Sequence, residues 1–325
     1  MYVVEMSVRD RLRCCNLGAA VLHGCWVLGL IVYGSVQNSS TTGWGQTLPV
    51  YCSRNVWCGR WDRLSECNST NALCGSCGSS SVELCAGTNH LIPEFCEMGR
   101  GVELIPELYK CGSLNTMALL VSFFFLSSVF HAYNVWSLGF ENGFYLRELR
   151  GGLSFSRYLE YSISASVMIL LIVYSLGINT LNALVSFFAL IFGVQWMGHA
   201  AEYAHRDGEG ENSKYFFHFA GWLLMGVVIV LTVVQWNETM RDADSAPPWL
   251  WSLLVGDFVL FSSFAVVQLW QFAAPSLRLC GSTDPHIQGE FMFIVLSFVC
   301  KSFLGVLSCA FLVSRDFFES VTGSS

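Results

Sequence analysis

Charge is what this sequence has least of. Only 13% of its 325 residues are Asp, Glu, Lys or Arg, where a soluble globular domain carries about a quarter. With 53% hydrophobic residues and a mean hydropathy of +0.49, that shortage excludes a soluble protein. A basic stripe is also missing, which excludes nucleic acid as a partner. The net charge of −7 is spread over loops and points to no partner class. No small-residue cleavage site follows the first apolar run, so that run is expected to stay as a signal anchor.

Long apolar runs are abundant instead. Stretches of about 20 apolar residues, enough to cross a bilayer, occur at 14–36, 113–138, 153–176, 181–204, 214–236, 248–273 and 289–313. The expected fold is an all-α membrane protein, a seven-transmembrane-helix bundle forming one domain over 1–325. A cysteine-rich insert at 37–112 interrupts it after the first span, and membrane lipid is its surrounding partner.

The short connections carry their Lys and Arg unevenly. Arg9, Arg11 and Arg13 precede the first span, Arg147 and Arg150 follow the second, Arg206 and Lys214 follow the fourth, and Arg278 follows the sixth. The opposite side offers only Arg241 and Arg315 outside the long insert. Basic residues accumulate on the cytoplasmic side. The N-terminus is therefore expected inside the cell and the C-terminus outside, with the insert extracellular or lumenal.

Two features of the outer segments agree with that threading. The insert holds Cys52, Cys58, Cys67, Cys74, Cys77, Cys85, Cys96 and Cys111. A Gly-, Ser- and Asn-rich segment that cannot build a core is held by disulfides in an oxidising compartment, and which cysteines pair stays open. A zinc module is the alternative raised by Cys74-Gly-Ser-Cys77, but no second such pair or histidine set follows. The glycosylation sequons at Asn38, Asn68 and Asn237 also fall outside.

Against this apolar background, the ionisable residues inside the spans stand out. Lys301 lies about 18 Å into the seventh span at about 1.5 Å per residue, near the middle of a core about 30 Å thick. A cation there costs at least a few kcal/mol. Desolvation favours the uncharged, nucleophilic amine, which condenses with aldehydes; the plainer alternative is a structural salt bridge. Glu160 is the one acid well inside the third span and can supply the anion, or it can pair with Arg157 at i, i+3. Arg157 itself is expected nearer the cytoplasmic edge, in reach of water or headgroups.

Ser297 precedes Lys301 by one helical turn and could bond its nitrogen or the counterion. Ser127 and His131 share a face of the second span at i, i+4, and His23 lies in the first. Two buried histidines beside an acid and an amine suit a cluster that holds a moving proton. His199, Glu202 and His205 have a spacing that raises a metal site, but their place beside a loop argues against one. Asp257, in the sixth span, is the residue to watch if protons are moved.

At Arg157-x-x-Glu160-Tyr161-Ser162 and Leu296-Ser297-x-x-x-Lys301-Ser302 the sequence resembles a heliorhodopsin, an inverted seven-helix retinal protein. Ser127-x-x-x-His131, His23 and the threading support the likeness. It implies a retinal Schiff base on Lys301, all-trans in the dark, with Glu160 as counterion. It also implies that Ser127 and Ser297 tune the hydrogen bonding there, that His23 and His131 line a polar cavity, and that Tyr161, Gly198, Phe261 and Gln268 lie in the pocket. A homodimer that signals to an unknown partner without pumping ions is expected, and no enzymatic activity. The swollen insert departs from the family and suggests a eukaryotic membrane.

Two rival functions use the same residues differently. A light-driven or light-gated proton transporter would route protons through Glu160, the histidines and Asp257. A retinal-free orphan receptor would bind a ligand at its cysteine-rich loop, leaving Lys301, Glu160 and Ser297 without a common purpose.

Overall fold

In a computed structural model, the chain is described over residues 2–36, 47–58, 103–208, 212–240, 248–277 and 284–322. The helices are α1 (Tyr2–Val36), α2 (Thr116–Ser137), α3 (Phe144–Arg150), α4 (Phe155–Ser175), α5 (Leu181–Asp207), α6 (Ser213–Met240), α7 (Pro248–Leu277) and α8 (Pro285–Thr322). All but α3 are long and apolar enough to cross a membrane, which makes seven among the described residues. A spanning helix satisfies its backbone internally, so in lipid these runs have little choice of conformation.

The helices form one compact unit with the flanking segments, 1–48 and 114–325. Within it α4 is the central helix: 67% of its most apolar stretch is buried, against 17% for α5 and 22% for α6. Its small side chains explain the position. Ser162, Ser164, Ala165 and Ser166 are buried and let neighbouring backbones come close. Ser166 Oγ also donates to the Phe188 carbonyl of α5 at 3.1 Å.

The faces of the bundle are fixed by contacts near the helix ends. Arg9 of α1 donates to the Leu138 carbonyl just past α2 at 2.7 Å. Leu12, Ala19, Tyr145, Leu149 and Ile294 then pack together, placing α3 against α1 and the start of α8. The turn into α3 needs Gly143, because a Cβ there would sit 1.8 Å from the Ser137 carbonyl oxygen. Asn115 caps α2, its side chain accepting from Ala118 N at 2.8 Å.

Residues 49–113 form the second unit. Its described part is a two-stranded sheet, β1 (Thr47–Cys58) with β2 (Glu103–Asn115). One disulfide, Cys52–Cys111, joins them with an S–S distance of 2.07 Å. Cys67, Cys74, Cys77, Cys85 and Cys96 lie outside the described residues, as do Asn38, Asn68 and the side chain of Cys58. Asn237 is exposed near the end of α6.

Candidate functional site

Three helices bring their buried polar residues to Lys301. Its Nζ donates to Glu160 Oε1 of α4 at 2.6 Å and to Ser127 Oγ of α2 at 2.5 Å. Lys301 and Glu160 are 4% and 2% exposed, so each is tolerable only because the other is present. Ser127 uses its own proton on the Phe123 carbonyl, 3.1 Å away, which leaves a lone pair for the amine. The Tyr161 ring lies 5.2 Å from Nζ. Ser297 is buried beside this group, but its Oγ makes no hydrogen bond to the lysine.

A second polar group joins α1 to α2. His131 Nδ1 lies 2.9 Å from Asn16 Oδ1, and Asn16 is held by donating Nδ2 to the Leu12 carbonyl. Because Asn16 Oδ1 can only accept, His131 carries its proton on Nδ1. His23 stacks on His131 with ring centroids 5.7 Å apart. Both ring nitrogens of His23, and Nε2 of His131, are buried without a protein partner. Such groups are ordinarily satisfied by ordered water, so the two histidines suit a small hydrated cluster.

The third group corrects a sequence expectation. Arg157 does not reach water or headgroups; it is 4% exposed and bridges two carboxylates, Glu202 of α5 and Glu290 of α8. It does not pair with Glu160 either, since that carboxylate is engaged by Lys301. Tyr145 of α3 donates to Glu290 Oε1 at 2.7 Å, and Ser154 donates to Oε2 at 2.8 Å. Burial, then the Glu290 charge, pushes the Tyr145 phenol well above its ordinary range, so it remains a donor at every physiological pH. Among the described residues no His, Cys, Asp and Glu group could hold a metal.

Between Lys301 and α7 runs a slot with a cavity volume of about 90 Å³. Tyr161, Gly198, Trp222, Phe261 and Phe264 line it, with Lys301. Gly198 is required by the width: a Cβ there would come 2.8 Å from Tyr158 Cε1. Gln268 closes one wall, donating to Tyr158 Oη and the Gly198 carbonyl, both at 2.8 Å. Its Oε1 faces His218 Nδ1 at 2.9 Å, and His218 Nε2 accepts from Trp222 at 3.0 Å.

The heliorhodopsin family model matches residues 87–310, more than half of the chain. The chain belongs to the heliorhodopsin family. Among solved structures, the crystal structure of thermophilic rhodopsin is similar with a TM-score of 0.48 and 11% identity, covering 63% of this chain and 82% of that one. No curated protein sequence matches.

Family membership makes retinal the implied chromophore and light the implied stimulus, in an integral, multi-pass membrane protein. The residues of this heliorhodopsin fit that group. The Lys301 amine stands in the wall of an aromatic slot, and the carboxylate that would balance a cation at Nζ is already 2.6 Å away. Ser297 Oγ, orphaned and lining the slot, is a polar atom that a ligand or water would satisfy.

The pocket positions expected from the sequence lie in this half of the bundle except Ser127, His23 and His131, which sit on the α1–α2 side of Lys301. Sequence reasoning missed Glu290, Tyr145, Tyr158, His218, Trp222 and Asn16. Glu290 has a signal that could have found it: an acid at the start of a span needs a buried partner unless it faces water. Asp257 belongs to α7, but its side chain lies outside the described residues.

Proposed function

We propose that this heliorhodopsin is a photoreceptor that binds retinal through Lys301 and signals without pumping ions, with its N-terminus in the cytoplasm. The observation that carries the reading is the placement of Lys301 Nζ between the Glu160 carboxylate and the slot. When bound as a Schiff base, retinal supplies light absorption and isomerisation. The protein supplies position and electrostatics.

Each residue then has a distinct task. Glu160 balances the positive charge at Lys301, and Ser127 fixes the nitrogen by accepting from it. Gly198 keeps the slot narrow, and Tyr161 and Phe261 exclude water from it. His23 and His131 hold or receive a proton on the α1–α2 side, where His131 is kept in one tautomer by Asn16. Replacing Glu160 with glutamine removes the carboxylate charge but keeps the shape. The visible-absorbing pigment is expected to give way to a near-ultraviolet form at lower pH than in the wild type, because the cation has lost its partner. A spectrophotometric titration with no downward displacement would remove Glu160 from the counterion role.

The case for sensing over transport rests on where the acids are. A pump needs proton-exchanging groups on both sides of the amine. Among the described residues the buried acids are Glu160, Glu202 and Glu290. The last two lie with Arg157, towards the face where α1 begins. The arginines and lysine of the short connections, Arg9, Arg147, Arg150, Arg206 and Lys214, gather at that same face, which supports placing it in the cytoplasm. Under voltage clamp, illumination is expected to produce no steady current. A sustained photocurrent that disappears in Asp257→Asn would replace this reading with the transporter.

A further inference from the structure

Helix α3 has two unlike faces. Tyr145, Leu146 and Leu149 are buried against α1 and the start of α8, whereas Phe144, Arg147 and Arg150 are exposed. Spaced at i, i+3 and i+6, the exposed three share one side of the helix. The rings around them fix the depth of that side. Trp136 and Phe140 are 62% and 53% exposed and meet edge to face with centroids 5.1 Å apart. Phe144 meets Phe155 of α4 at 6.5 Å, and Phe155 meets Trp196 of α5 at 6.1 Å. Phe144 thus stands beside the spanning helices rather than above them. Exposed aromatic rings at the ends of spans mark the level of the lipid headgroups.

Charge at this corner runs against that of the whole chain. Segments 9–13 and 139–151 hold five arginines against three acids, in a chain whose net charge is −7. The two segments adjoin, because Arg9 donates to the Leu138 carbonyl at 2.7 Å. Of the acids, Glu148 is half-buried and accepts from the Phe155 amide at 2.9 Å; Asp10 and Glu141 are exposed. The Arg147 guanidinium lies 5.7 Å from the centroid of the Phe144 ring, and Arg150 follows one turn further on.

Rings at headgroup depth, with guanidinium groups one and two turns beyond them, match an acidic phospholipid. Its acyl chains would meet the rings and its phosphate the arginines. We infer that the outer face of α3, together with Phe140 of the preceding turn, is a binding surface for an acidic phospholipid of the adjacent leaflet. On the threading proposed above that leaflet is the cytoplasmic one, where acidic lipids are concentrated.

Lipid bound there holds α3 down on the bundle. On the inner side of the same helix Tyr145 donates to Glu290 at 2.7 Å, so the lipid outside and the buried carboxylate inside fix α3 together. Membrane composition thereby becomes an input to the Arg157 cluster. Every group involved belongs to the apoprotein, so the inference does not depend on Lys301 binding retinal.

The test is hydrogen–deuterium exchange of the full chain in nanodiscs of phosphatidylcholine, or of phosphatidylcholine and phosphatidylserine in equal parts, at low and high salt. An arginine near an acidic surface is worth about fivefold in binding. With two of them, exchange of the wild-type α3 amides is expected to slow by about tenfold or more when phosphatidylserine is present, and to recover at high salt. Combining Arg147→Gln with Arg150→Gln should remove that protection, while the corresponding pair of lysine substitutions, which retain the charge, should keep most of it.

Equal exchange of wild-type α3 in the two lipids overturns the inference, and it is the result a protein partner at this face would give. Protection that persists in the glutamine variant also overturns it, because the lipid would then sit elsewhere. Should that variant not fold, the salt series on wild type decides: protection that withstands high salt defeats the proposal. Run on retinal-free protein and again with added retinal, the measurement stands whether or not a pigment forms.

Discussion

Lys301→Ala is expected to abolish the visible absorption band of retinal-reconstituted protein, with no other amine replacing it. The chain has two further lysines, Lys110 and Lys214. Lys110 lies in β2 of the second unit. Lys214 stands exposed at the start of α6, with Nζ 3.1 Å from His205 Nδ1. Neither lines the slot. The substitution also strands Glu160, which is buried and has lost its cation. Removing one member of such a pair costs about 3–5 kcal/mol, so the retinal-free variant is expected to melt well below wild type.

A double variant separates the two effects. Lys301→Ala with Glu160→Gln leaves no unpaired charge, so much of the lost stability should return while the band stays absent. Absorbance spectra and thermal melts of the four proteins check this. A visible band that survives Lys301→Ala would place the chromophore elsewhere and end the proposed linkage.

The sequence made Lys301 and Glu160 legible for a simple reason. Charges deep inside apolar spans are expensive, so each is conspicuous and each needs the other. The seven helices were equally plain, because a bilayer demands length and hydrophobicity before anything else. Residues near the span ends were harder to place. Arg157 sits only two residues into α4, where sequence position suggests snorkelling. In the bundle, α3 folds over that end and presents Tyr145 to Glu290, so the edge becomes interior. A seven-residue connection gives no periodic signal strong enough to announce this.

Partner choice was the other obscure element. Glu202 and Glu290 are separated from Arg157 by 45 and 133 residues, and nothing local encodes their convergence. His218 and Trp222 are one turn apart on α6 and read as ordinary core residues. Their role emerges only when Gln268 arrives from α7 to orient His218. Conversely, the Ser297 hydroxyl, expected from spacing to reach the lysine, stays unbonded, because Ser127 and Glu160 already occupy the nitrogen.

Arg157→Gln is expected to be about as damaging to the apoprotein as the loss of Lys301, with a different spectral outcome. Among the described residues the guanidinium is the one cation bridging Glu202 and Glu290, and it stacks 4.0 Å over the Phe293 ring. Without it Glu290 keeps two hydroxyl donors but no counter-charge, a loss on the order of 3–5 kcal/mol. The visible band should persist, because Lys301, Glu160 and Ser127 are untouched; its maximum should move, because a charge lining the slot is gone. Arg157→Lys retains the charge but not the fork that reaches two carboxylates at once, so its stability should fall between the two. Combining Arg157→Gln with Glu290→Gln isolates the ion pair: the double variant should be more stable than the sum of the single losses implies, by about 0.5–3 kcal/mol. Strict additivity would mean that the bridge from α4 to α8 contributes no coupling.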